Sequence, residues 1–478
     1  MDERLKSQDV PLAVDLDGTL IATDLLWESA FVLLKKNALY VFLFPFWLLS
    51  GKAYLKQQIA RRIVIDASLL PYRKEFLDYL RQEHARGRRL VLATAAAEPL
   101  AQSVASELGI FETVLATTGS NNLSSHNKAR ALTEHYGPKG FDYAGNDRAD
   151  IAVFAAARDV VVVAPDRAAA RFQMANGSRL FEKKATGIKP YLKMLRVHQW
   201  LKNLLVFVPA ILAHTIFFPE VLLASVLAFV AFSAYASAIY ILNDIIDLPL
   251  DRQHTRKRSR PFASGVLSIP FGLKVSALLL LIAAATCFFL PPIFALVIGL
   301  YLVATTAYSL VLKRALLVDV ICLAALYTLR LLGGTAATEI PQSFWLMAFA
   351  MFFFLSLALV KRYVELQHST VTEKDRIAGR GYRPEDRDIV GQSGVASGFT
   401  AVVVLALYIN SAAVQELYTY PWLIWPLVPI VLYIIMRVWI LAHRKEMDDD
   451  PVVFLANDWR SQVVIAIGAV LLFVAGMR

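Results

Sequence analysis

Cysteine is almost absent: Cys287 and Cys322 are the only two in 478 residues, each inside an apolar run. That excludes a disulfide framework and a thiolate metal site, and both read as small core residues. Charge is scarce as well, at 18% against 57% hydrophobic residues, and mean hydropathy is +0.51. Such a shortage of charge excludes an ordinary soluble protein, and the length excludes a single ordinary domain. Acids are outnumbered, 39 Asp and Glu against 49 Lys and Arg. The excess suits a face held against anionic lipid and phosphate-bearing substrates. Nucleic acid is the other partner of basic charge, but no nucleic-acid module is recognisable and none is expected. The opening Met-Asp-Glu-Arg-Leu-Lys is polar, so no secretory signal peptide is expected.

What the chain does have is a polar cluster at a membrane mouth. Val221 to Leu242 is about twenty apolar residues, long enough to cross a bilayer. Directly after it come Asn243, Asp244, Asp247 and Asp251. Carboxylates at the end of a membrane helix are costly unless water, cations or partners meet them, so several together mark a functional site. Asn243, Asp247 and Asp251 recur every four residues and Asp244 stands three before Asp247, which gathers the oxygens on one helix face. Pro249 bends the segment before Asp251. Clustered hard oxygens suit Mg2+, which takes one or two carboxylates and fills its shell with water and substrate phosphate. Arg252, His254, Arg256, Lys257, Arg258 and Arg260 then supply positive charge for the phosphates. The plainer alternative is a solvated loop whose acids balance its bases.

Asn-Asp-x-x-Asp-x-x-x-Asp followed by Lys-x-x-Arg-Pro resembles the first Asp-rich motif of the UbiA superfamily of membrane prenyltransferases, and the resemblance covers roughly residues 190–478. Independently, apolar runs near 203–218, 221–242, 269–289, 292–312, 316–337, 343–360, 396–414, 421–441 and 462–477 predict an all-α polytopic membrane domain of nine transmembrane helices. Connections after the second, fourth, sixth and eighth runs hold nearly all the basic charge, and the intervening connections hold no Lys or Arg. The positive-inside rule then puts the basic loops and the N-terminal domain in the cytoplasm and the C-terminus outside. The expected location is the inner (cytoplasmic) membrane, as a multi-pass protein.

Within this half, Lys202 enters the first run beside Trp200, either as an interface anchor or, as the resemblance implies, close to the active site. Tyr308 and Lys313 close the fourth run and Asp319 opens the fifth. Arg330 lies three turns further on a similar face, where a buried Arg needs an anion: Asp319, in a structural pair, or a substrate phosphate. Gly333-Gly334 allows close helix packing. The sixth run ends in Lys361-Arg362-Tyr363-Val-Glu365, with Glu373, Asp375, Asp386 and Asp388 scattered beyond. Prenyltransferases of the superfamily carry a second Asp-rich motif there, which this chain lacks. Tyr-Ser-x-x-Leu-Lys, Asp-Val, Leu-Arg-x-x-Gly-Gly and Lys-Arg-Tyr-x-Glu together are similar to the decaprenyl-phosphate phosphoribosyltransferases. That branch moves phosphoribose from phosphoribosyl diphosphate onto a polyprenyl phosphate. The resemblance implies Mg2+ on Asn243, Asp244, Asp247 and Asp251, with Asp244 and Asp247 catalytic. Candidate phosphate cations are Lys202, Arg258, Arg260, Lys313, Arg330, Lys361 and Arg362.

Ahead of the membrane half, Val10-Pro-Leu-Ala-Val-Asp-Leu-Asp-Gly-Thr-Leu20 is a short apolar strand ending in Asp15 and Asp17. This resembles motif one of the haloacid dehalogenase superfamily, whose first Asp is a nucleophile and whose second is a general acid/base. Further matches in order are Thr94 at the end of an apolar strand, Lys128, and the acidic loop Asn146-Asp147-Arg-Ala-Asp150. The resemblance assigns Thr94 and Lys128 to phosphate, and Asp15, Asp17, Asp147 and Asp150 to Mg2+. Asn146 stands where that superfamily usually has Asp. Strands alternating with helical stretches at 98–108, 127–136 and 149–157 predict an α/β domain with a parallel sheet and a helical cap. The cap interval contains the apolar run 38–49, which is either a face for the membrane interface or a pair of core helices.

The expected organisation is a phosphatase-like domain over 1–180, a juxtamembrane linker over 181–195 with Lys183, Lys184 and Lys189, and a transferase domain over 196–478. Expected partners are phosphoribosyl diphosphate or prenyl diphosphate, a polyprenyl phosphate lipid and the membrane. Self-association is left open. Two other functions compete: an aromatic prenyltransferase using prenyl diphosphate, and a transporter with a regulatory soluble domain.

Overall fold

The computed structural model describes residues 10–119, 121–182, 187–367, 381–447 and 450–477. Lys183, Lys184, Glu373 and Asp375 lie outside the described residues. The chain forms two compact units, one of Met1–Leu195 with Ser237–Ala277, the other of Arg196–Ala236 with Leu278–Arg478. The Asp-rich segment therefore belongs to the same unit as the N-terminal domain.

In the first unit, β1 (Leu12–Val14), β2 (Leu90–Ala97), β3 (Thr113–Thr117), β4 (Asp142–Gly145), β5 (Val160–Val163) and β6 (Arg179–Phe181) form a parallel sheet in the order β3-β2-β1-β4-β5-β6. Both faces are covered, so the strands read as continuous apolar runs rather than alternating ones. Leu12, Val14, Leu90, Leu92, Ala144 and Val161 pack one way, with Phe76, Leu80, Leu100 and Val104 from the helices Lys74–Ala85 and Glu98–Leu108. Ala13, Val91, Ala93, Tyr143, Val160 and Val162 pack the other way, with Leu132, Phe154 and Ala169. The strand order reverses between β1 and β4. Open parallel sheets bind ligands outside the carboxyl ends of strands at such a point.

Between β1 and β2 lies the cap: helices Leu25–Lys36, Phe44–Leu49 and Lys52–Ala60, with a 3-10 turn over Ala38–Phe42. Asp24 caps the first helix by accepting from the Leu26 and Trp27 N–H groups. The run 38–49 is not a core pair, because most of its large side chains are exposed.

Among the described residues, eight helices are long and apolar enough to span, against the nine expected: Pro219–Ile246, Ile269–Cys287, Pro292–Ser309, Val318–Thr338, Phe344–Gln367, Pro384–Ile409, Pro421–His443 and Trp459–Gly476. The expected first span is a shorter apolar element, Val197–Leu212. It is wound as a 3-10 helix over Val197–Phe207 and passes into a short α-helix with Pro209 in its first turn, where a missing N–H costs nothing. In the second unit, Gly333 and Gly334 serve close packing as expected. A Cβ at Gly333 would sit 2.5 Å from the Phe232 ring, and one at Gly334 would sit 2.1 Å from the Val206 carbonyl oxygen.

Candidate active sites

At the carboxyl ends of β1 and β4 the first unit encloses a cavity of about 230 Å3, lined among others by Asp15, Asp17, Asp24, Lys56, Lys128, Asp147 and Asp150. The β1 strand ends at Asp15, and Gly18 (φ 78°) turns the chain so that Asp17 also reaches the cavity. Lys128 Nζ donates to Asp15 Oδ1 (2.7 Å), to the Tyr143 hydroxyl (2.8 Å) and to Asp150 Oδ1 (3.4 Å). Asp150 also accepts from the Tyr143 hydroxyl (2.6 Å) and the Asn146 N–H (2.9 Å), which makes it the brace of the acidic loop. Asp17 accepts the Leu25 N–H at 2.8 Å.

Charge in this cavity is unbalanced, with five carboxylates around two lysines. Burial, outweighing the pull of Lys128, pushes the Asp15 carboxyl up to about 7, and Asp150 and Asp147 add to the rise. Burial, then Asp24, raises Asp17 well above the usual carboxylate range. Burial alone would lower Lys128, but Asp15 and Asp150 raise it, so it stays protonated. A cation would relieve the excess negative charge, and Asp15 and Asp147 offer it hard oxygens. Among the described residues no three His, Cys, Asp or Glu side chains form a ready-made metal cage. Mg2+ does not require one, since it keeps several waters.

The Asp-rich segment in the same unit is less uniform than its spacing suggested. The spanning helix stops at Ile246, Asp247 is the joint, and a new helix, Leu248–Gln253, carries Pro249 in its first turn. Asp244 and Asp251 are both buried and share one guanidinium: Arg260 Nη1 donates to Asp244 Oδ1 (3.0 Å) and Asp251 Oδ2 (2.7 Å). Asp247 turns elsewhere and accepts from Lys35 Nζ at 2.5 Å. Asp244 and Asp251 thus meet one cation and Asp247 another, although backbone hydrogen bonds from Asp247 to Asn243 and from Asp251 to Asp247 carry the helical turn through the joint. Arg252 makes a bidentate pair with Glu28 of the cap, at 2.5 and 2.8 Å, with both side chains under a tenth exposed. Arg258 is exposed.

In the second unit Arg330 is buried without a carboxylate partner among the described residues. It donates to Asn203 Oδ1 (2.9 Å), the Leu326 carbonyl (2.5 Å) and the Tyr301 hydroxyl (2.7 Å), and lies over the Tyr301 and Tyr327 rings. Lys202 pairs with Asp450 and lies over the other reach of Tyr327, 5.7 Å from its centroid. Burial would raise Asp450, but Lys202 first and then Lys361 hold it below the usual range. Arg362 has no exposed side-chain surface; it pairs with Asp319 at 2.6 Å and with Glu365. Tyr308 and Lys313 are half-buried near the end of their helix.

Residues 204–458 match the UbiA prenyltransferase family, and residues 12–155 match the haloacid dehalogenase-like hydrolases. This chain belongs to the UbiA prenyltransferase family. An uncharacterized protein of Sinorhizobium fredii is 37% identical over 96% of this chain and 89% of its own length. A decaprenyl-phosphate phosphoribosyltransferase of Mycobacterium tuberculosis is 36% identical over 36% of this chain, which spans about three-fifths (59%) of that protein. A solved UbiA homolog from Archaeoglobus fulgidus, bound to GPP and Mg2+, is 17% identical, covering 60% of this chain and 99% of its own, with TM-score 0.47.

The UbiA domain thus follows a haloacid dehalogenase-like domain in one chain. Of the expected residues, the structure gathers Asp15, Asp17, Lys128, Asp147 and Asp150 on one cavity, and Asp244, Asp251 and Arg260 on one ion-pair cluster. Three expectations need correction. Thr94 is fully buried and its hydroxyl accepts the Ala96 N–H, so Ala95, Ala96 and Ala97 make that wall. Arg362, expected among the phosphate cations, is fully buried against Asp319 and Glu365. Arg330 consequently has Asn203 and Tyr301 rather than Asp319 as its partners. Asn146 faces Thr19, whose hydroxyl donates to it at 3.1 Å. Residues that the sequence reading missed are Lys56, Tyr143, Glu28 and Asp450. Lys56, Glu28 and Asp450 reach their sites from elements distant in sequence, whereas Tyr143 stands on β4 just ahead of the acidic loop.

Proposed function

We propose that this UbiA-family protein transfers phosphoribose from phosphoribosyl diphosphate to a polyprenyl phosphate in the membrane, and that its N-terminal domain then removes the 5-phosphate from the product. The observation that carries this reading is the union of two phosphate-handling motifs in one compact unit, joined by the Glu28–Arg252 and Lys35–Asp247 ion pairs. Similarity to a decaprenyl-phosphate phosphoribosyltransferase supports the transfer.

In the transfer, a phosphate oxygen of the lipid attacks the anomeric carbon and diphosphate leaves. The lipid phosphate is an adequate nucleophile, so no strong base is needed. What the protein supplies is charge and orientation. Mg2+ held by Asp244 and Asp251 would neutralise the departing diphosphate. Arg260, which donates to both acids, would be available to phosphate with a cation held there in its place. Lys202, Lys313, Arg330 and Lys361 are the further cations proposed for phosphate, with Arg258 in the exposed loop.

In the hydrolysis, Asp15 attacks phosphorus and Asp17, kept protonated by burial, donates to the leaving ribose oxygen. Water then releases phosphate with Asp17 as base. Lys128 neutralises Asp15 and the phosphoryl oxygens, and Mg2+ on Asp15 and Asp147 would supply further charge. Product passes between sites at high effective concentration because they share one unit.

The same ion pairs bear on topology. They support a reading in which the N-terminal domain and the loop after Pro219–Ile246 lie on one side of the bilayer. On that reading the chain crosses once before that helix, through Val197–Leu212. At about 2.0 Å per residue in its 3-10 part and 1.5 Å in its α part it reaches about 30 Å, the thickness of a hydrocarbon core. The proposed arrangement is nine crossings in the inner membrane, with a cytoplasmic N-terminal domain and an external C-terminus, a reading that the basic loops support.

The family itself favours a second reading, with prenyl diphosphate as donor. The coupled reading is tested by Asp15→Asn. This variant is expected to accumulate phosphoribosyl lipid while wild type yields ribosyl lipid and inorganic phosphate. Identical lipid products from both proteins would remove the hydrolytic step.

A further inference from the structure

The cap carries an apolar surface that no part of the protein covers among the described residues. In the 3-10 turn Ala38–Phe42 and the helix Phe44–Leu49, the side chains of Leu39, Phe42, Phe46 and Leu49 are 66, 69, 65 and 85% exposed, and Val41, Leu43 and Leu48 are exposed too. Only Trp47 turns inward, against Tyr40, Phe44 and the Arg62 guanidinium. A contiguous patch of this kind marks an interaction surface.

Its position identifies the partner. Lys35, at the end of the preceding helix, is fixed at 2.5 Å to Asp247, the residue after the spanning helix Pro219–Ile246. The C-terminal end of a spanning helix lies at the edge of the hydrocarbon core. Ala38 is three residues beyond Lys35, about 10 Å of chain at most. The patch is therefore held at the depth where the bilayer surface begins. Its charge agrees. Between Glu28 and Asp66 the sequence has no acid, and of its cations Lys36, Lys52 and Arg61 are exposed and outside the cavity. An apolar face framed by cations fits a leaflet of anionic lipid.

We propose that Ala38–Leu49 is an interfacial membrane anchor, inserted among lipid head groups with Phe42, Phe46 and Leu49 at acyl-chain level. The anchor belongs to the cap, whose Asp24, Leu25, Leu26, Ser29 and Lys56 line the cavity at Asp15. It thereby presents that cavity to phosphorylated groups carried on lipids. The anchor itself does not depend on the cavity being hydrolytic.

The test uses the full chain with Cys287 and Cys322 replaced by Ala, reconstituted in nanodiscs containing phosphatidylglycerol. Single cysteines are introduced as Phe42→Cys, Phe46→Cys and, as a control on an exposed helix, Arg81→Cys, each labelled with an environment-sensitive fluorophore. Exposure of the native side chains makes these substitutions compatible with folding. Labels at 42 and 46 are expected to lose about half or more of their emission to lipids spin-labelled near the head group, while resisting aqueous iodide. The label at 81 is expected to do the reverse. Iodide quenching without lipid quenching at 42 and 46 would overturn the proposal. So would shielding from both quenchers, which is the signature of a second copy covering the patch.

Discussion

The Glu28–Arg252 pair ties the cap to the Asp-rich segment, and its removal is calculable. Glu28→Gln keeps the side-chain shape but strips the anion from a guanidinium that is 6% exposed. Breaking one partner of a buried pair costs about 3–5 kcal/mol, whereas replacing both by apolar groups of similar volume is close to neutral. For a unit of this size each kcal/mol moves the melting temperature by about 2–4 °C. Glu28→Gln and Arg252→Gln should each lower the transition of the first unit by about 6–20 °C. Glu28→Leu/Arg252→Met should recover most of that loss. The assay is thermal unfolding of the purified protein in detergent, followed by intrinsic fluorescence. Shifts below about 2 °C in both single variants, or a double variant as unstable as the sum of the singles, would refute the pair as the tie.

Other outcomes are expected of the transfer site and the packing. Asp244→Asn and Asp251→Asn each remove a charge with little change of volume and should abolish transfer in protein that still folds; full activity in both would remove the cluster from the mechanism. Lys361→Ala should raise the donor KM or lower kcat/KM about ten- to a hundred-fold, the worth of a charge-assisted phosphate contact of about 1.5–3 kcal/mol. An unchanged donor profile would make Lys361 an interface anchor. Arg362→Met should instead destabilise the second unit, since it strands buried Asp319; intact stability with weakened donor binding would reverse that assignment. Gly334→Ala should cost about 1–3 kcal/mol, because its methyl meets the Val206 carbonyl oxygen at 2.1 Å.

The sheet was legible because its parallel strands are buried on both faces and read as short apolar runs ending in Asp15, Thr94 and Asn146-Asp147. The cavity was legible at Asp15 and Asp147 but not at Thr94, which lies inside β2 and is replaced in the wall by Ala95, Ala96 and Ala97. Lys56 was not, because a cap lysine reaches the cavity only through the fold of the cap helices. The spacing of Asn243, Asp244, Asp247 and Asp251 was read as one face. The competing cation Lys35 sends Asp247 elsewhere, an effect not encoded in four-residue spacing. Arg330 and Arg362 were both plausible phosphate ligands by sequence. Only packing reveals that Asp319 is spent on the second and leaves the first to Asn203 and Tyr301. The segment Val197–Leu212 was read as part of an ordinary spanning helix, since composition does not report 3-10 winding.

The most direct measurement supplies the protein, in nanodiscs with polyprenyl phosphate and Mg2+, with phosphoribosyl diphosphate labelled with 14C in the ribose and 32P in the 5-phosphate. A parallel reaction supplies labelled prenyl diphosphate. The account predicts that the extracted lipid gains 14C without retained 32P, that 32P appears as inorganic phosphate, and that prenyl label is not transferred. A lipid fraction without 14C, together with incorporation of the prenyl label, would contradict it.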